Sequence, residues 1–542
     1  MESTKKTAFV KGATILTVAG LICKVIGLLI RMFALDIIGV KGMFYYELVF
    51  PTYSWLLIIS SSGIPIAISR MVAERAAVGN YDGAKRVFRR SLLILFLIGV
   101  LTSAVMFFGA PLIGTEILPG GEGAVLALRA LAPALLFVSV ICAYRGYLQG
   151  LQRMTGTSVS QLAEQVFKFI FGLLLAKLLM QKYADSPLRY AYGASGLLLG
   201  VTISEALALA VMMLFYAGVR GKYKATIADP NPHERVVGPM LWIAIPITLG
   251  ASILPLANML DSSMIMRLLI KAGLTEEVAK LNYTALCTHV RSIINLPATL
   301  TVGVAMSVVP AISAARVKQD QGGVQNLSLL SLKIAMAIGI PCAVGLCVLA
   351  RPIITLLYPS SPEAIDVAVP LMHVAAFTVV FISLVQTATG ALQGAGRQRL
   401  PMWFLLIGGA VKVLINLIFI PMPRINTLGA VFSNLACFGI AGILDTVALL
   451  KVTKAKLNVL ETFIKPAIAS ALTGAAAWGA HRLLSGISIF QHGRLMTGVA
   501  TVLAILIAVI VYALLTLLFG MFTKEELTYI PGGRKLARFA RR

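Results

Sequence analysis

Apolar runs of eighteen or more residues recur along the whole chain, separated by short polar stretches. A run of that length crosses the roughly 30 Å hydrocarbon layer as an α-helix. A membrane β-barrel would instead show alternating segments of about ten residues. The pattern predicts fourteen helical spans, at residues 8–37, 45–70, 88–113, 122–145, 157–181, 190–217, 236–270, 281–313, 327–357, 364–394, 399–421, 426–450, 464–481 and 495–522. The longer ones need tilt, kinks or interfacial ends. With 58% hydrophobic and 13% charged residues, the expected fold is an all-α polytopic membrane protein.

An internal repeat organises these spans. Leu148-Gln149-Gly150, Arg153 and Lys168 reappear as Leu392-Gln393-Gly394, Arg397 and Lys412, at a constant offset of 244. Gly63, Gly83, Ser91 and Leu92 reappear as Gly303, Gly323, Ser331 and Leu332, at an offset of 240. The repeat holds six spans, and an even number returns the chain to its starting side. Two parallel six-helix lobes related by a pseudo-twofold axis follow, with a site expected near the midplane between them. The expected domains are 1–225 and 226–455 for the lobes, and 456–542 for two additional helices and a basic tail. The longest connections are at about 71–87 and 218–235, the latter carrying a turn at Asp229-Pro230-Asn231-Pro232.

The formal charge of +25 would suit a nucleic-acid partner if it formed a patch. Instead, basic residues crowd alternate connections, with Arg70, Arg75, Lys85, Arg86, Arg89 and Arg90 around a single loop. That bias is a topology signal and places both termini in the cytoplasm. Lys5, Lys6 and Lys11 before an apolar run resemble a signal peptide, but Lys24 and Arg31 interrupt the run and no small-residue cleavage site follows. A retained first helix is expected. Cys23, Cys142, Cys287, Cys342, Cys347 and Cys437 all fall in predicted spans without a CxxC pair, as small packing residues do.

Charge inside the spans carries the functional signal. Lys24, Arg31, Arg129, Lys168, Lys177, Arg267, Arg291, Lys333, Arg351 and Lys412 lie there against the acids Glu164, Glu205, Asp261 and Asp445. A cation at the bilayer centre costs about 2.5–3.5 kcal/mol on insertion scales, so such residues rarely face lipid. Those near helix ends snorkel, which accounts for Lys177, Arg267, Lys333 and Arg351. The surplus of positive charge among the rest points to an anionic cargo.

Lys24 and Arg31 are seven residues apart, hence about 20° apart around a helix and roughly 10 Å apart along it. Such a pair suits a ligand with separated anionic groups. Alternatively, Arg31 snorkels outward while Lys24 pairs with Glu164 or Glu205. Arg291 lies about 15 Å into span eight, ahead of a kink expected at Pro297, too deep to snorkel easily. It faces the interior or pairs with Asp261. Asp261 with Asn258 one turn earlier, and Asn416 one turn after Lys412, are candidates for a coupling ion or a structural pair.

No GxxxxGK[ST], HExxH, GxSxG or paired Cys/His spacing marks an ATP-driven or catalytic site. The expectation is therefore a transporter, not an enzyme, without a resident cofactor, driven by Na⁺, H⁺ or the membrane potential.

One stretch is more specific. Lys11-Gly12-Ala13-Thr14-Ile15-Leu16, Lys24-Val25-Ile26-Gly27, Arg31, Gly39, Gly42, Tyr46, Pro51-Thr52-Tyr53 and Gly63-Ile64-Pro65-Ile66-Ala67-Ile68-Ser69-Arg70, with Val72-Ala73-Glu74, resembles the SpoVB-like polysaccharide transporters. These are relatives of the lipid II flippases in the MATE-like (MOP) exporter superfamily. The resemblance covers nearly the whole chain. It implies two six-helix lobes around a cavity, two further helices forming a groove for a polyprenyl tail, and alternating access. The cargo it implies is an undecaprenyl-pyrophosphate-linked glycan, moved from the inner to the outer leaflet of the bacterial cytoplasmic membrane.

By the same resemblance, Lys24, Arg31 and Arg291 approximately match basic cavity residues of helices one and eight. The basic residue of helix two has no counterpart, since the region reads Pro51-Thr52-Tyr53-Ser54-Trp55. Asp261 and Asn416 fit the helices that hold sodium in the family, while Lys412 stands where a neutral ligand is expected. Partners so implied are the lipid-linked glycan, membrane lipids and cell-wall synthesis proteins, with no nucleic acid. The leading expectation is a flippase for lipid II or a related cell-wall or spore-cortex precursor. The alternative is a MATE-type small-molecule or ion antiporter, which the excess of bases disfavours for cationic drugs. A polyprenyl-phosphate enzyme using Asp36 or Glu47 is the third reading.

Overall fold

A computed structural model describes residues 2–221, 236–487, 494–523 and 526. The turn expected at 229–232 lies outside the described residues. Among these, every regular element is helical. The first part of the chain forms α1 (Glu2–Ser61), α2 (Gly63–Ala77), α3 (Tyr81–Phe108), α4 (Gly121–Gly150), α5 (Met154–Lys182), α6 (Arg189–Arg220) and α7 (Val237–Lys271). There follow α8 (Glu276–Val317), α9 (Gln321–Val348), α10 (Ala350–Leu357), α11 (Pro362–Ala375) and α12 (Thr378–Gly394). The last four are α13 (Arg399–Phe419), α14 (Thr427–Thr453), α15 (Lys465–Gly486) and α16 (Arg494–Leu518).

Nine of the described helices are long and apolar enough to cross a membrane, or ten if α11 and α12, bent by 49° at their junction, form one broken span. Helix α5 is not among them, because Glu164, Lys168 and Lys177 interrupt its apolar run. Packing follows membrane logic. On α3 the small or polar Ser91, Gly99 and Thr102 are buried, while Leu93, Phe96, Leu97, Leu101 and Phe108 are exposed. Small residues let helices approach, and large apolar ones suit lipid.

The chain divides into two compact units, 1–267 and 268–542. The first includes α7 as far as Arg267, although the repeat assigns that helix to the second lobe. Its attachment is local: Met240 and Ala244 join the buried cluster of Ile64, Ile68 and Phe88, and the Gly63 amide donates to Thr248 Oγ1 at 3.2 Å. Thus the hydrogen-bonding and packing of α7 are tied to α2.

The repeat is visible in the packing of each unit. In the first, a Cβ at Gly150 would stand 2.7 Å from the Ser69 carbonyl oxygen; in the second, one at Gly394 would stand 2.9 Å from that of Val309. Gly99 likewise sits against Ser139, and Gly339 against Ser383. The caps match as well. Asn80 accepts from the Gly83 amide and Asp320 from the Gly323 amide, both at 2.8 Å, satisfying a donor left orphaned at each helix start. Every one of these equivalences falls at an offset of 240 or 244.

Three irregularities shape the site. Gly39 breaks α1 with φ 62° and ψ −177°, a conformation for residues without a Cβ. Predicted span two is itself interrupted between Ser61 and Gly63, where α1 gives way to α2. In span eight, a π-helical turn over Ala285–Arg291 precedes the α-helix that contains Pro297.

Candidate functional site

The break at Gly39 returns the second segment of α1 toward the first. Arg31 Nε donates to Glu47 Oε1 at 3.1 Å, and the pair is largely shielded, with side-chain exposures of 27% and 10%. The Arg31 guanidinium also lies 6.0 Å from the centre of the Tyr46 ring. Tyr46 stacks on Phe50, with centroids 5.3 Å apart, and Phe50 contacts Tyr53 at 5.6 Å. The Lys168 ammonium from α5 sits 5.3 Å from the centre of the Phe50 ring. Residues 46, 50 and 53 follow helical spacing, so their rings form a ladder on one face.

Helices α1 and α5 run side by side in the same direction. Cys23 Sγ donates to the Gln161 carbonyl at 3.6 Å, and the Phe33 and Phe169 rings meet edge-on at 5.7 Å. Lys24 projects from this stretch, exposed, close enough to Arg31 and Lys168 to feel both charges. It makes no ion pair among the described residues. The alternative in which Lys24 pairs with Glu164 is not what the fold adopts. Arg145 Nη2 donates to Glu164 Oε2 at 3.2 Å and to Ser160 Oγ at 3.2 Å, and Gln165 Nε2 donates to Glu164 Oε1 at 3.2 Å. Glu205 is buried near that pair.

The first unit thus brings Lys24 and Arg31 together, as their seven-residue spacing predicts, and adds Glu47 and Lys168. Glu47 was singled out in the sequence only as an acid for an enzyme, and nothing there linked it to Arg31, because only the break at Gly39 brings the two together. Lys168 did carry a sequence signal: it is the repeat-mate of Lys412.

Arg291 lies in the second unit as the last residue of the π-helical turn, half-buried. That turn is anchored from outside. His289, fully buried, shares a hydrogen bond of 2.9 Å between Nε2 and Ser361 Oγ, and its ring centre is 4.6 Å from that of Tyr358. Tyr358 Oη and Ser292 Oγ are 2.9 Å apart. A π turn adds a residue to the helical turn and so changes the direction in which Arg291 leaves the helix.

Of the coupling-ion candidates, Asp261 and Asn258 lie one turn apart on α7 in the first unit, Asp261 buried and Asn258 half-buried. Asn416 lies in the second unit on α13, fully buried, one turn from the buried Lys412. Of the remaining cations, Lys177 is exposed, and Lys333, Arg351, Arg267 and Arg129 have local contacts. Lys333 is buried, not snorkelling, and is held by Glu461 at 3.3 Å and Glu526 at 2.9 Å. Arg351 pairs with Asp366 at 2.8 Å on the surface, Arg267 donates to the Glu116 carbonyl, and Arg129 lies 5.7 Å from the Phe107 ring centre. None of the six cysteines forms a disulfide among the described residues.

A family model described as "Polysaccharide biosynthesis protein" matches residues 9–316, and one described as "MatE" matches residues 246–419. The Lipid II flippase MurJ of Bacillus subtilis (strain 168) is 22% identical over 98% of this chain and 99% of its own length. Stage V sporulation protein B of the same organism is 24% identical over 97% of this chain and 98% of its own. The structure resembles that of a lipid II flippase MurJ in an inward closed conformation. The TM-score is 0.65 at 15% identity, covering 93% of this chain and 98% of that one.

Proposed function

We propose that this chain, which belongs to the polysaccharide biosynthesis protein family of the MOP superfamily, is a flippase for a polyprenyl-diphosphate-linked glycan, since family membership points to a transporter rather than an enzyme. In this reading it carries an undecaprenyl-linked cell-wall precursor, lipid II or a related oligosaccharide, from the inner to the outer leaflet by alternating access. Fourteen spans with both termini in the cytoplasm, in a bacterial cytoplasmic membrane, belong to the same proposal.

The observation that carries it is the Lys24–Arg31 pair. Both cations lie on one helix; Arg31 pairs with Glu47, and Lys24 makes no ion pair among the described residues. Uncompensated positive charge within a membrane-spanning helix is costly unless a ligand or water neutralises it. A diphosphate supplies that neutralisation, and guanidinium and ammonium groups are the side chains that bind phosphate oxygens. Arg291, in the second unit, is assigned separately to anion binding. Asp261, Asn258 and Asn416 are assigned to ion coupling, with the Lys412 ammonium one turn from Asn416 weighing against sodium and in favour of protons or the membrane potential.

The test is complementation in cells depleted of their lipid II flippase, with insertion confirmed. Survival supports lipid II or a close relative as cargo. With rescue established, Lys24→Ala, Arg31→Ala and Arg291→Ala should insert normally and fail to rescue; rescue by all three would refute the site. Failure of the inserted wild-type chain would move the proposal to another polyprenyl-linked glycan. The MatE match favours a second reading, antiport of a small molecule, which efflux of cationic dyes would support and its absence would exclude for that class.

A further inference from the structure

We propose that Lys168 is a third phosphate-binding cation of the first unit and that, with Lys24 and Arg31, it selects a diphosphate over a monophosphate headgroup. This deepens the flippase reading and rests on it.

Placement is the first argument. The contacts Cys23–Gln161 and Phe33–Phe169 set α5 alongside α1 with residue numbers rising together. Lys168, next to Phe169, therefore stands level with the Arg31 end of α1. Tyr46 carries the Arg31 guanidinium at 6.0 Å and the stacked Phe50 carries the Lys168 ammonium at 5.3 Å. One aromatic pair thus mounts two cations.

Charge is the second. An aromatic face attracts an ammonium through its quadrupole but brings no negative charge, so the lysine is held without being neutralised. Lys168 makes no ion pair among the described residues. Glu164 is one turn away on the same helix, the spacing at which a helical ion pair forms, yet its carboxylate is engaged by Arg145, Ser160's partner, at 3.2 Å. Of the cluster, Arg31 is paired with Glu47, while Lys24 and Lys168 make no ion pair among the described residues.

The repeat supplies the third. Lys412, the equivalent of Lys168 in the second unit, is 1% exposed, whereas Lys168 is half-buried. Equivalent positions have been put to different uses.

Lys24 and Arg31 are separated by about 10 Å along the helix, more than a single phosphate bridges. A diphosphate presents two linked groups, and Lys168, level with Arg31, gives the second phosphate its own cation.

The experiment is calorimetric binding of inorganic pyrophosphate and of orthophosphate to the full chain in lipid nanodiscs. Wild type should prefer pyrophosphate. Lys168→Ala should weaken pyrophosphate binding about ten- to a hundredfold, the range of a charge-assisted hydrogen bond, and erase the preference. Lys168→Arg should retain it, and Lys177→Ala, on the same helix, should bind as wild type. If Lys168→Ala does not fold, Lys168→Gln measured in the same way decides. Unchanged pyrophosphate binding in the folded variant overturns the role of Lys168 and leaves the flippase reading intact. A wild-type chain that binds no pyrophosphate overturns both.

Discussion

Arg31 and Glu47 are sixteen residues apart on α1, yet their side chains meet at 3.1 Å. In an unbroken helix they would be separated by about 24 Å. The φ of 62° at Gly39 removes that separation and converts a lone cation into one half of an ion pair. In the flippase reading, the Glu47 carboxylate occupies Arg31 until a phosphate displaces it, so the apo protein does not carry the full charge of its own site.

Neutralising that carboxylate should separate its two roles. Glu47→Gln is expected to destabilise the protein by about 1.5–3 kcal/mol, the worth of a hydrogen bond to a charged group, and to tighten pyrophosphate binding, because Arg31 no longer has a competing anion. Thermal unfolding and calorimetry of the same preparation check both. Weaker pyrophosphate binding would contradict the competition.

Gly39→Ala isolates the break. A Cβ there meets nothing within 4 Å, so the cost is conformational, about 1–3 kcal/mol for a non-glycine residue held in that region. The expected result is a lowered unfolding temperature together with lost transport, since Arg31 and Glu47 would be drawn apart. Gly27→Ala, also free of contacts, should be neutral or slightly stabilising. Equal behaviour of the two would remove any special role for Gly39.

Gly63 and Gly303 are equivalent in the repeat but not in their surroundings. A Cβ at Gly63 would stand 2.1 Å from the Ala244 carbonyl oxygen and 2.5 Å from Thr248 Oγ1, whereas one at Gly303 meets nothing within 4 Å. Gly63→Ala should cost about 3 kcal/mol or more by forcing α2 from α7, with little change for Gly303→Ala. Unfolding curves of the two variants give the comparison directly.

Lys333 ties three segments of the second unit. Its ammonium meets Glu461 and Glu526 and lies 5.4 Å from the Phe522 ring centre. Thr523 and Glu526 exchange amide hydrogen bonds at 2.8 and 3.2 Å in a capping box, which shapes the segment for this contact. Lys333→Ala should cost about 1–3 kcal/mol by leaving carboxylates unpaired, and should expose the segment around Phe522 to limited proteolysis. A digestion pattern identical to wild type would show that the segment is held by other contacts.

Much of the fold was legible because membrane insertion writes itself into local composition. The helices depend on residues close together in the chain and the repeat on identities counted along it, whereas the matching caps at Asn80 and Asp320 emerged only from the structure. The fourteen-span count depends on more: α5 is too charged to pass an apolarity test, and α1 continues through Gly39 to Ser61, so hydropathy alone does not delimit them. In span eight the proline was visible in the sequence, whereas the π turn rests on His289, Ser361 and Tyr358, which are far apart along the chain.

The site divides in the same way. By itself the chain of residues determined that cations interrupt apolar runs, that the spacing of Lys24 and Arg31 puts them on one helical face, and that residue patterns recur at offsets of 240 and 244, since all three are read from linear order. Tertiary structure alone decided how the cations are held: Arg31 by Glu47, Arg145 by Glu164, Lys333 by Glu461 and Glu526, with Lys168 mounted on Phe50 instead. The physical reason is range. Partners of a buried charge must lie within a few ångströms in space, and nothing in a linear pattern specifies which distant residue arrives there.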